Sequence, residues 1–292
     1  MRMHAGEIDI DVDLAHTLVA DQFPELSDLP MVEVRSTGTV NAVYRIGDQL
    51  YARLPRLAHW VADLDREWQW LPQLAPRLSL RIPEPVAQGQ PAGPYPFHWA
   101  IYRWLEGETY ADRLVDDETE AARDLARFVA ELRGIDPAGA PRGGRKPLRE
   151  LDRDTRQVID AARGVIDGDA ALAAWQRALE APVWDGTPVW IHSDLLRPNV
   201  LVVDGRISGV IDFGGAGVGD PASDVIAAWS VFGPAGREAF RAALQVDDAT
   251  WHRARGIALH QAAMIIPYYA ESNPGFVALA QRTVEEILAD ES

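Results

Sequence analysis

The sequence predicts an α+β protein of two lobes, β-rich first and mainly helical after. Three observations carry that reading. Short runs with alternating apolar positions crowd the first hundred residues, at MVEVR (31–35), NAVYRI (41–46), QLYARL (49–54) and WAIYRWL (99–105). From Asp117 the period turns helical, with Ala122, Leu125, Ala126, Val129 and Leu132 recurring until Gly134. Two β-branched-rich runs, Val200–Val203 and Arg206–Ile211, then interrupt the helical part, separated by the hairpin-forming pair Asp204-Gly205. Strands first, helices later and a β-insertion between them is an α+β pattern. The division is set after Arg103, giving an N-lobe of residues 1–103 and a C-lobe of 104–292.

The elements follow in order. Residues 7–20 place Ile8, Val12, Leu14 and Leu18 among acids, as a leading helix would. Gly47-Asp48 reads as a tight turn between the second and third strands, a register that sets Arg53 across from Ala42. Asp65–Leu74 reads as a short helix, with Leu64, Trp68 and Leu71 on one stripe and Glu67 off it. Residues 83–96 are a Pro/Gly-rich loop, and 137–147 are a loop by composition. Helical patterns return at 155–166 and 170–181, and VWIH (189–192) is a strand. Asp220-Pro221 has the form of an N-cap with proline at the first helical position, opening a helix with Ala222, Val225, Ile226, Trp229 and Phe232 on one face. The remainder, 234–290, reads as helices broken near Pro267 and at Asn273-Pro274-Gly275.

Composition bounds the function. The chain has 47% hydrophobic and 25% charged residues, ordinary for a globular protein with a large core. Its 44 acids against 28 Lys and Arg give a formal charge of −16, which argues against non-specific nucleic-acid binding and is compatible with a cationic small-molecule substrate. With no cysteine, disulfides, thiol nucleophiles and Cys-ligated zinc are excluded. The seven histidines show no metal-ligand spacing, and GxSxG is absent. The acidic start MRMHAGEIDIDVDL is not a signal peptide, and no apolar run reaches the roughly 18 residues of a spanning helix, so a cytoplasmic enzyme without a membrane partner is expected.

The stretch HSDLLRPNVLVVDGRISGVIDFG carries the chemistry. If Asp204 and Gly205 form the turn, Val203 faces Arg206, Val200 faces Gly209, and Asn199 and Asp212 emerge at the open end, with Asp194 on the entering loop. An amide oxygen and a carboxylate make a hard-oxygen pair of the kind Mg²⁺ takes. A second carboxylate nearby can accept the proton of an attacking hydroxyl.

These motifs resemble those of the aminoglycoside phosphotransferases and their relatives, the small-molecule branch of the protein-kinase-like fold. IHSDLLRPNVLV (191–202) and VIDFGGAGVGDPASDV (210–225) carry the likeness, with looser matches at STGTVNAVYRI (36–46) and LYARLPR (50–56). The resemblance implies that Asp194 is the catalytic base, that Asn199 and Asp212 hold Mg²⁺, and that His192 braces the loop from beneath. It implies ATP or GTP as phosphoryl donor, bound in the N-lobe. Arg53 and Glu67 stand where the fold has a Lys–Glu pair, arginine being a departure, and Arg56 is a rival for the phosphate contact. Ser36, Thr37, Gly38 and Thr39 occupy the phosphate-loop position with a single glycine. Tyr102–Trp104 would be the connector whose backbone meets the base. Asp220 is read as a helix cap and Asp224 as a structural brace.

The acceptor implied is a small-molecule hydroxyl, first of aminoglycoside type. A macrolide, a sugar, a choline-like amine or a homoserine-like alcohol are alternatives. A non-catalytic binding protein of the same fold is disfavoured by the intact Asp194, Asn199 and Asp212. A protein kinase is disfavoured because 213–221 is too short for a long activation loop.

Overall fold

The computed structural model describes residues 7–34, 41–184 and 186–290. The chain divides into two compact units. The first comprises residues 1–76, 81–106 and 211–214, and the second residues 77–80, 107–210 and 215–292.

The first unit holds helix α1 (Val12–Gln22), strands β1 (Met31–Glu33), β2 (Asn41–Ile46) and β3 (Leu50–Pro55), helix α2 (Val61–Leu74), and strands β4 (Pro85–Gly89) and β5 (Trp99–Arg103). The five strands form one antiparallel sheet in the order β1-β2-β3-β5-β4. Alternation along β2 buries Ala42, Tyr44 and Ile46, which pack with Ala52, Leu54 and Ile101 against Leu18 and Val19 of α1. The turn after β2 is three residues long, so Arg53 pairs with Val43 and Ala42 with Leu54, one position from the expected register. Residues directly opposite each other share a face, and the expected register would have put an arginine on the buried side. Two further expectations are corrected. Strand β4 lies within the segment read as a loop. Glu67 belongs to the buried stripe of α2, with Leu64, Leu71 and Leu74.

The second unit holds β6 (Glu108–Thr109), α3 (Glu118–Arg133), α4 (Leu148–Ala161), α5 (Gly168–Ala178), β7 (Val189–Ile191), β8 (Val200–Val203), β9 (Arg206–Val210), β10 (Gly217–Gly219), α6 (Ala222–Val225), α7 (Ala227–Ser230), α8 (Pro234–Leu244), α9 (Asp248–Tyr269) and α10 (Pro274–Ala289). Asp117 caps α3 by accepting the N–H groups of Thr119 and Glu120. Helix α9 is buried on nearly every side, with Ala254, Ile257, Ala258, Leu259, Ala262 and Ala263 all in the core. The expected break at Pro267 is not seen: α9 runs through it to Tyr269. The segment after Asp220 is two short helices, α6 and α7, with Pro221 at the cap position.

In the β8–β9 hairpin Val203 faces Arg206 as expected, but a bulge between Leu201 and Val202 sets Val200 opposite Val210, not Gly209. No helix among the described residues is long and apolar enough to cross a membrane.

Candidate active site

The loop from β7 into β8 is held in shape by buried polar groups of the second unit. Ser193 adopts φ 70°, a left-handed conformation that a non-glycine residue keeps only when its surroundings enforce it. The enforcing group is Asp224, fully buried on α6, which accepts the N–H of His192 at 3.0 Å and of Ser193 at 2.7 Å. Burial raises the pKa of Asp224, while His192 and the two N–H donors pull it down. The Asp194 N–H donates to His192 Nδ1 at 3.3 Å, so the buried imidazole supports the loop from inside. Farther on, buried Arg197 bonds Asp112 at 2.6 Å and the Val231 carbonyl at 2.9 Å, and Ser230 Oγ donates to the Leu195 carbonyl at 2.6 Å.

The Asp194 carboxylate emerges from this frame between two amides. Asn199 Nδ2 donates to Asp194 Oδ2 at 2.8 Å and to the Asp194 carbonyl at 2.9 Å. Gln261 Nε2, from α9, donates to Oδ1. With its nitrogen committed to Asp194, the Asn199 amide has its oxygen as the remaining ligand atom.

In the first unit Arg53 gathers the polar groups. Its Nη1 donates to both oxygens of Glu67, at 2.6 and 2.7 Å, and its Nη2 to Asp212 Oδ1 at 2.9 Å. Tyr102 adds a hydroxyl donor to Glu67 Oε2 at 2.9 Å. Burial alone would lower the Arg53 pKa; the charges of Glu67 and Asp212 outweigh it and hold the guanidinium well above its usual value. Asp212 has φ 69°, a second left-handed non-glycine position, and its Oδ2 makes no hydrogen bond among the described residues. The charge of Arg56, the rival for the phosphate contact, is felt by Tyr44 and Tyr95. The Trp104 N–H is given to the Gln49 carbonyl at 2.7 Å, leaving its own carbonyl, and its indole lies 4.5 Å beneath the Arg45 guanidinium. Ser36, Thr37, Gly38 and Thr39 lie outside the described residues.

Among the described residues no three His, Cys, Asp or Glu side chains cluster as a metal cage. Mg²⁺ does not need one, since it is commonly held by one or two carboxylates together with phosphates and water. The Asn199 Oδ1 and Asp212 Oδ2 atoms are of the right chemistry. Two contacts escaped the sequence reading. Gln261 lies 67 residues beyond Asp194, and nothing in its helix marks it. The Tyr102 side chain serves Glu67, a role hidden behind its apolar strand pattern.

Comparison with known proteins agrees with the motifs. A profile of the phosphotransferase enzyme family matches residues 32–257. A Bacillus subtilis (strain 168) protein designated YcbJ is 28% identical over 198 residues, 62% of this chain and 62% of its own. The viomycin phosphotransferase of Streptomyces vinaceus is 28% identical over 168 residues, 53% of this chain and 58% of its own. The chain thus spans about three fifths of each of these relatives. Among solved structures, a mutant aminoglycoside 2'-phosphotransferase-IIIa in complex with GDP has a TM-score of 0.72 at 20% identity, covering 96% of this chain and 98% of that one. The macrolide 2'-phosphotransferase of Brachybacterium faecium has a TM-score of 0.62 at 21% identity, covering 93% and 98%. At such identities the likeness carries the fold.

Proposed function

Because the chain belongs to the phosphotransferase enzyme family and shares its kinase-like fold, we propose that it moves the γ-phosphoryl of ATP or GTP to a hydroxyl of a small molecule. Asp194 is the base, Asn199 and Asp212 are the Mg²⁺ ligands, and Arg53, steadied by Glu67, contacts the triphosphate. The observation that carries the reading is the Asp194 carboxylate held in one direction by two side-chain amides, those of Asn199 and Gln261. In the reaction the acceptor oxygen bonds to the γ-phosphorus, the bond to the bridging β-oxygen breaks, and the nucleoside diphosphate leaves with that electron pair. The acceptor proton passes to Asp194. Mg²⁺, when bound, neutralises charge on the phosphates. The relatives and solved neighbours named for viomycin, aminoglycosides and macrolides supply the first acceptors to try, aminoglycosides foremost, followed by small alcohols.

The test is nucleotide turnover over that panel, with ATP and GTP compared. Asp194→Ala should keep its fold and nucleotide binding and lose turnover by about 10² or more. Asp212→Asn should weaken Mg²⁺–nucleotide binding and nearly abolish transfer. Near-full kcat in the Asp194 variant would remove the base assignment, and an unchanged Mg²⁺ dependence in the Asp212 variant would remove the metal pairing.

A further inference from the structure

Although the chain carries a formal charge of −16, one cleft in the second unit is basic. This cleft, about 680 Å³, lies between the 142–150 segment, the residues after α5, the end of β10 and the face of α9 that carries Arg253 and Ile257. A volume of that order suits a drug-sized ligand. Its described lining has five cations, Arg142, Arg145, Lys146, Arg149 and Arg253, against two acids, Glu150 and Asp220. Asp220 is already committed, since Arg253 grips both its oxygens at 2.8 and 3.1 Å. Among the described residues, Arg142, Arg145, Lys146 and Arg149 make no ion pair and no side-chain hydrogen bond. Four cations facing one cleft repel one another, a cost that a bound anion would turn into attraction. Between them Leu148, Leu179, Val183, Trp184 and Ile257 provide apolar wall.

The basic segment is built in place. Its backbone adds to β10, with the Val218 N–H donating to the Pro141 carbonyl at 2.7 Å and the Gly143 N–H to the Val218 carbonyl at 3.0 Å. Gly143 and Gly144 permit that approach: a Cβ on Gly143 would meet the Gly217 N at 2.8 Å, and one on Gly144, which has φ +76°, the Ile191 side chain at 2.8 Å. The cleft also adjoins the reacting end of the unit. Desolvation within the cleft lowers the pKa of Arg145, and the charge of nearby Asp194 opposes it. Ile257 is one helical turn along α9 from Gln261, which holds Asp194.

We propose that this cleft receives the acceptor, and that the acceptor is an amphiphile bearing an acidic group, a carboxylate or a phosphate ester, on an apolar body. The acidic group lies among Arg142, Arg145, Lys146 and Arg149, and the body rests on Leu148, Trp184 and Ile257. The assignment as acceptor rests on the phosphotransfer reading, and it departs both from the cationic aminoglycosides tried first and from the cationic substrate that net charge alone suggests. Guanidinium groups bind both kinds of oxyanion in a bidentate way, so the shared chemistry is fixed while the choice between them is not.

The experiment measures calorimetric binding of three probes that share one ring, naphthylacetate, naphthyl phosphate and naphthylmethylammonium, to the nucleotide-free full chain. At least one anion should bind about tenfold or more tightly than the ammonium, and its affinity should fall as salt rises. Comparison of the two anions assigns carboxylate or phosphate. The exposed pair Arg145→Gln and Arg149→Gln, checked for an unchanged melting curve, should erase the preference; Arg149→Glu alone should shrink it should the pair fail to fold. Equal binding of anion and cation, or a preference that survives both sets of substitutions, overturns the proposal. Hydroxyl-bearing carboxylates, phosphates and amines of matched body are then offered for turnover. Transfer to the amines alone overturns the acceptor assignment even where the anions bind. Failure of the phosphotransfer reading looks different: anion binding persists, and Asp194→Ala leaves nucleotide turnover unchanged.

Discussion

Arg53 and Glu67 are a buried ion pair whose side chains are 12% and 0% exposed, and removal of either partner has unequal consequences. Without the guanidinium, the Glu67 carboxylate would retain one hydroxyl donor, from Tyr102, in a place water does not reach. Breaking a buried pair from one side costs about 3–5 kcal/mol, because the orphaned charge stays behind. Arg53→Ala should therefore lower unfolding free energy in urea by that order. The double variant Arg53→Ala, Glu67→Gln should be the more stable of the two, since it removes the charge as well as its partner. In addition, nucleotide KM should rise roughly ten- to hundredfold in Arg53→Ala, with Arg53→Lys recovering part of the loss. A loss under about 1 kcal/mol, or a double variant weaker than the single, would mean that the pair is not a buried charge in solution.

At the scale of elements, the β8–β9 hairpin shows what local chemistry can and cannot fix. Asp204 and Gly205 adopt φ 48° and 77°, the left-handed pair that a two-residue turn of this hand requires. A Cβ on Gly205 would lie 2.2 Å from Asp116 Oδ2, so Gly205→Ala should cost roughly 1–3 kcal/mol of stability. The turn is at the far end of β8 from Asn199, so kcat per folded molecule should not change; a chemical melt and an activity assay on the same sample separate the two. The turn was legible because its residues settle it among themselves. The bulge at Leu201 was not, because it depends on how both strands pack. The β2–β3 register was legible in principle: matching the buried faces of Ala42, Tyr44 and Ile46 to Ala52 and Leu54 selects the observed pairing. An apolar stripe on α2 leaves Glu67 off the core, whereas the buried stripe includes this charge, made tolerable by a partner from β3. Asp194, Asn199 and Asp212 stood out because a short motif carries them, while Gln261 and the basic cleft are assembled from segments far apart in the chain.

For the whole molecule, the balance of acids and bases makes acid stability a contest between opposing effects. Protonating some of the 44 carboxylates relieves self-repulsion in a chain of charge −16, which favours the folded state as pH falls. His260 acts the other way. It is 3% exposed, sits 2.8 Å from Thr155 Oγ1, and has its pKa lowered to about 4, first by burial and then by the Arg145 charge, with Asp154 opposing. An unfolded histidine binds its proton near pH 6.5, so below that value the unfolded chain gains a proton that the folded one refuses. The stability this group supplies is whole above about pH 6.5 and is lost as pH falls towards about 4. At about 1.4 kcal/mol per pH unit, the loss over that window is on the order of 3 kcal/mol. Relief of repulsion is common to the wild type and to His260→Gln, whose amide can still meet the Thr155 hydroxyl, so the difference between their urea-unfolding free energies isolates the histidine. That difference should shift against the wild type by roughly 2–3 kcal/mol between pH 7 and pH 4.5. Parallel curves across the window would show that His260 protonates in the folded state as readily as in the unfolded one, and that burial beside Thr155 and Arg145 does not hold it neutral.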